Sequence, residues 1–135
     1  MHIANEPERP LILHCTAGKD RTGIICALLL SLCGVDDDTV AKEYHLTETG
    51  IVSMVPKFMA QAKKSPDMMA YQKENPNALM NMLSAKEANM IATLEMVREK
   101  YGGPEDYMIA CGISKEDVEN IRKNMIRQTP AVHKL

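Results

Sequence analysis

The chain has 135 residues, the size of one ordinary domain, and 45% of them are hydrophobic, enough to enclose a core. A formal net charge of -2 and a pI near 6.1 exclude a global basic field for nucleic acid or an anionic membrane surface, so any anion must be bound locally. No apolar run is long enough to span a bilayer, and Cys15, Cys26, Cys33 and Cys111 show neither a C-x-x-C pair nor dense even spacing, which points to reduced thiols in a soluble, cytoplasmic chain without a disulfide framework or zinc site.

The opening MHIANEPERP lacks the basic-then-apolar pattern of a secretion signal. PLILHC (10–15) is short and apolar, begins on a proline suited to a strand start and runs into a glycine-containing turn, which predicts the one strand of the chain. TGIICALLLSLC (22–33) is too long and too rich in Leu and Ala for a buried strand, and Gly34 supplies a stop. It predicts a buried helix in which Cys26 and Cys33 are core. The acids Asp36–Asp38 open a second helix over 36–49, with Val40 and Tyr44 inward and Gly50 as its end. Residues 51–83, interrupted by Pro56, Pro66 and Pro76, predict two or three short helices. Their methionines (Met54, Met59, Met68, Met69, Met80, Met82) suit an adaptable core, or else a mobile apolar cover over the site.

Ser84 and Glu87 have the spacing of a capping box. Ala88, Ile91, Leu94, Val97 and Tyr101 then give helical spacing up to the Gly102–Gly103 stop. PEDYMIACG (104–112) predicts a short helix in which Cys111 packs, with a disulfide trap for Cys15 as the alternative. SKEDVENIRKNMIRQ (114–128) predicts an amphipathic helix capped by Ser114, with Val118, Ile121, Met125 and Ile126 inward. One strand cannot make a sheet. The expected fold is therefore α/β, this chain being its C-terminal, mostly helical part. It forms a single domain over 1–135 with a phosphate loop at 14–22 and a helical remainder at 23–129. A segment missing before the start, or a partner chain, would complete the sheet.

The chemistry concentrates in HCTAGKDRTG (14–23). Cys15 and Arg21 lie six positions apart, so the backbone of Thr16, Ala17, Gly18, Lys19 and Asp20 can wrap around an anion with its N–H groups inward. Gly18 permits a conformation that a side chain would obstruct, and Thr22–Gly23 opens a helix whose positive end faces the same point. Helix N-termini and nearby cations bring a thiol down from about 8.5 into the range of about 3.5–7.5, so Cys15 is the candidate nucleophile. Arg21 offers a planar fork for two phosphoryl oxygens. Thr22 can donate its hydroxyl to the sulfur. His14 orients the loop through backbone contacts, and Asp20, the acid within the loop, is the candidate proton donor to the departing oxygen.

This string carries the His-Cys-x5-Arg-Ser/Thr signature of cysteine-dependent phosphatases. It most closely resembles the fungal and bacterial tyrosine/serine phosphatase family, with its Gly-Lys-Asp-Arg-Thr-Gly core. GIICALLLSLCGVDDDTVAKEYHLT and, more loosely, MLSAKEANMIATLEMVREKYGGPEDYM look like the same family, so the resemblance covers most of the chain. The family carries a long strand-containing segment before the loop, whereas this chain starts shortly ahead of its motif. The resemblance implies Cys15 as nucleophile, Arg21 as phosphate clamp, residues 16–20 as cradle and Asp20 as acid. It implies hydrolysis of protein phosphotyrosine, and of other phosphorylated residues in some members, through a phosphocysteine and without metal or other cofactor. Lys19 sits where phosphatases of inositol lipids and inositol phosphates also carry a lysine, so a phosphoinositide or inositol-phosphate substrate is one alternative. A silent phosphate-binding module is another.

Overall fold

The structure, a computed structural model, describes residues 1–126. Ten helices follow one another among them, in chain order α1 (His2–Asn5), α2 (Asp20–Leu32), α3 (Asp37–His45), α4 (Thr47–Ile51), α5 (Val55–Ala62), α6 (Pro66–Glu74), α7 (Ala78–Leu83), α8 (Glu87–Tyr101), α9 (Pro104–Ala110) and α10 (Lys115–Met125), with a 3-10 turn at Val52–Met54. The boundaries have local causes. Asp36 caps α3 by accepting from Thr39 N–H at 2.9 Å and from its hydroxyl at 2.8 Å, which holds the Asp36 carboxyl below its ordinary range. Proline stands in the first turn of α5, α6 and α9, where its missing N–H is no loss. Gly102, at φ 94°, closes α8 in the left-handed region. Ser114 caps α10 by accepting from Asp117 N–H.

The expected strand is not there. No strand occurs among the described residues, and segment 10–15 runs without regular structure, with Leu11, Leu13 and above all Ile12 (84%) exposed. Strand backbone needs neighbouring backbone to receive its N–H and C=O groups, and no described element supplies it. A short apolar run after a proline does not specify a strand by itself. The described fold is all-α, not α/β with a strand leading into the loop.

Smaller expectations also shift. The 36–49 helix breaks at Leu46, and Gly50 lies inside α4 instead of ending a helix. The capping box does not form: Lys86 precedes α8 without a side-chain cap, and the Ser84 hydroxyl donates to Asn81 O at 2.9 Å. Met69, Met80 and Met82 are exposed and Met54, Met59 and Met68 only half-buried, so this cluster is not core. Met125, Ile126 and Cys111 are exposed as well. Residues 127–129 of the expected helical remainder lie outside the described residues.

The apolar interior forms two groups, both served by α2. Leu28, Leu29 and Leu32 pack with Ala4, Val97, Met108, Val118 and Ile121, while Ala27 packs with Val40, Ala41, Tyr44, Ala85, Met90 and Leu94. Burial of these side chains, the Leu, Val, Ile and Met each contributing about 1.5–3 kcal/mol and the alanines less, holds α2 from two sides and so fixes its N-terminus in space. Gly23 lets the α3 ring of Tyr44 come close: a Cβ there would stand 2.8 Å from Tyr44 Cδ2. The buried helix foreseen for 22–33 is thus present as α2, with Ile24 and Ile25 exposed at its head.

Candidate active site

The loop 14–19 ends where α2 begins. Gly18 has φ 68°, a conformation that L side chains rarely adopt, and the chain there turns into the helix with Lys19 at its N-cap. Lys19 offers no side-chain cap, so the first-turn N–H groups of a 13-residue helix remain open toward the loop.

Cys15 is the group this arrangement acts on. Its thiol is lowered from 9.0 to about 6. The hydroxyl of Thr22 is the largest cause, followed by the Thr22 main-chain N–H. Partial burial opposes them, and the N–H groups of Ala17 and Gly18 add to the lowering. Thr22 Oγ1 is buried and has no hydrogen-bond partner among the described residues, so its hydroxyl is free to turn toward the Cys15 sulfur. At pH 7 such a thiol is about nine-tenths thiolate. By contrast Cys26 is pushed up by burial and then by Glu43, and Cys33 by burial, only partly offset by Arg122. They are half-buried thiols without the donors that Cys15 has.

Arg21 spans the loop, its Nη2 donating to Thr16 Oγ1 at 3.2 Å, and the guanidinium remains exposed. His14 is exposed and its ring makes none of the hydrogen bonds seen among the described residues. Asp20 is two-thirds exposed and its Oδ1 lies 2.6 Å from Lys19 Nζ. Lys19 itself is buried, with Nζ donating to Ser84 O at 2.9 Å. Sequence reasoning missed this contact, and no signal could have found it, because the two residues are 65 positions apart.

Two cavities adjoin the loop. One of about 310 Å³ is lined by Thr16 together with Phe58, Met68 and Met82, which lie on α5, α6 and α7. The other, about 340 Å³, is lined by Lys19, Asp20, Tyr44, Asn81, Asn89 and Thr93. Larger cavities of about 480 and 430 Å³ are lined by Leu11, Leu13 and Leu29 and contain none of residues 14–22. Size therefore does not mark the chemistry. Among the described residues no three His, Cys, Asp or Glu side chains converge to hold a metal ion, and no helix is long and apolar enough to cross a membrane.

The sequence profile described as the tyrosine phosphatase family matches residues 1–127. The chain is 30% identical over 122 residues to a tyrosine-protein phosphatase of Nostoc commune, an alignment covering 89% of this chain and 40% of that protein. It is 26% identical over 120 residues to the triple specificity protein phosphatase PtpB of Mycobacterium tuberculosis, covering 84% of this chain and 43% of the relative. The chain thus spans about two fifths of the length of these curated relatives.

Proposed function

Since the chain belongs to the tyrosine phosphatase family, we propose that it hydrolyses phosphomonoesters of proteins, phosphotyrosine first among them, through a phosphocysteine formed on Cys15 in the cytoplasm. The observation that carries this reading is the acidic thiol, surrounded by the Thr22 hydroxyl and the N–H groups of Ala17, Gly18 and Thr22 at the head of α2. In the first step the Cys15 sulfur lone pair attacks phosphorus. The S–P bond forms, the P–O bond to the leaving group breaks, and the departing oxygen takes a proton from Asp20.

In the second step water attacks phosphorus and gives its proton to Asp20 while the S–P bond breaks. Inorganic phosphate leaves and the thiolate returns, stabilised by Thr22. Arg21, on releasing Thr16, can hold two equatorial phosphoryl oxygens, and the main chain of Thr16, Ala17, Gly18, Lys19 and Asp20 receives the rest. His14, exposed and without a hydrogen bond among the described residues, takes no part in either step.

A burst of p-nitrophenol from p-nitrophenyl phosphate, equal in size to the enzyme concentration and abolished by Cys15→Ser, is the expected result. Phosphate binding with no burst would instead identify a silent binding module and refute the hydrolase reading.

A further inference from the structure

Lys19 is the sole polar or charged residue buried among the described residues, at 5% exposure. An ammonium withdrawn from water is costly unless its donors are matched. Here two matches are present: the Ser84 carbonyl at 2.9 Å and the Asp20 carboxylate at 2.6 Å. The Ser84–Ala85 turn that receives the lysine is held by two further side chains. Glu48 Oε1 accepts from Ala85 N–H at 2.6 Å, and His45 Nδ1 donates to Ala85 O at 3.0 Å. Ala85 itself is fully buried. The lysine therefore ends in a rigid, internally fixed carbonyl, not in solvent where a ligand phosphate would arrive.

A lysine that served as an additional cation for a multiply phosphorylated ligand would have to leave both partners. Departure would strip both the Ser84 carbonyl and the Asp20 carboxyl of the group that holds them in place. Nothing among the described residues stands ready to replace the ammonium at either place. The same contacts have a second effect: they tie the residue that begins α2 to the turn between α7 and α8, and they restrict the otherwise exposed Asp20 side chain to one position at the rim of the loop.

We infer that Lys19 is a positioning residue, which aligns Asp20 and anchors the phosphate loop to the Ser84–Ala85 turn, and that it does not contact substrate phosphate. This inference rests on the hydrolase reading above. A group that aligns the proton carrier is felt most where the leaving oxygen is most basic. Loss of Lys19 should therefore discriminate between leaving groups, which a general loosening of the fold would not do.

The test compares the full-length protein with its Lys19→Met and Lys19→Gln variants on three substrates: phenyl phosphate, 2,4-dinitrophenyl phosphate and an inositol bisphosphate. Expected is a fall in kcat/KM on phenyl phosphate, which reports the steps through cleavage of the P–O bond, of about tenfold or more, with kcat/KM on the dinitrophenyl ester changed by less than about twofold and KM for the inositol bisphosphate not raised. Should Lys19→Met fail to fold, Lys19→Gln, whose amide can still donate to the Ser84 carbonyl but carries no charge, gives the same reading. Equal losses of kcat/KM on both aryl esters would overturn the inference in favour of a merely structural lysine. A rise in KM confined to the inositol bisphosphate would overturn it in favour of a substrate cation. Wild-type turnover that survives Cys15→Ser would refute the hydrolase reading itself, and this inference with it.

Discussion

Replacing Gly23 by alanine tests how tightly the loop is mounted on the core. The added Cβ would lie 2.8 Å from Tyr44 Cδ2 and 2.9 Å from Cε2, inside any real carbon–carbon contact. The Tyr44 ring is only 8% exposed and packs among Val40, Ala41 and Met90, so it cannot swing away cheaply. Overpacking of this kind costs about 1–3 kcal/mol, and a ring held on several sides belongs in the upper half. Alanine's better helix propensity returns about 0.5–1 kcal/mol. The net expectation is a loss of about 1–2.5 kcal/mol, read as a lower urea midpoint at unchanged slope by far-UV circular dichroism. Because Gly23 adjoins Thr22, a backward shift of α2 should also raise the Cys15 titration above about 6. Gly50→Ala is the control: it is helical and has open space around its Cβ position, so it should gain about 0.5–1 kcal/mol. A Gly23→Ala protein as stable as wild type would refute the close approach of α2 and α3.

Thr22→Val keeps the branched shape and removes the hydroxyl, so the midpoint of iodoacetamide reaction at Cys15 should move up from about 6 while stopping short of 9.0, because the N–H donors of Thr22, Ala17 and Gly18 remain; an unmoved midpoint would discard the hydroxyl's role. Between these two values the unfolded chain holds a proton that the native thiol has released, so native stability rises with pH there and is lost as pH falls toward 6. Thermal melts of wild type against Cys15→Ser across that window should diverge with rising pH, and parallel melts would contradict the acidic thiol. Ser84→Ala should change stability by less than about 0.5 kcal/mol, since its side chain caps no helix N-terminus and its main-chain N–H still closes the end of α7, whereas a working capping box would lose about 1 kcal/mol.

Local signals were legible wherever the backbone itself depends on them. Ser114, Asp36, Gly102 and the prolines at 56 and 66 mark helix ends because each satisfies or omits a main-chain group at that spot. The loop was legible for the same reason, since Gly18 and the residues up to Thr22 are one continuous stretch. What escaped was decided by partners far along the chain. PLILHC has strand-like residues, but pairing is a property of neighbours, and its neighbours here are not strands. Ser84 and Glu87 have the right spacing, yet the helix starts at Glu87 itself, and the Asn81 carbonyl takes the serine's proton. Lys19 looked like a free cation beside the nucleophile until its distant carbonyl partner was seen.

The acidity of Cys15 belongs to the folded loop and vanishes from a random coil, where the thiol ionises near 9.0. Labelling is usually a census of denatured molecules, whose hidden sulfurs come into reach. At mildly acidic pH this residue inverts that rule: an electrophile would tag intact copies and pass over collapsed ones, so the fraction tagged at position 15 counts how many molecules in a preparation are properly formed.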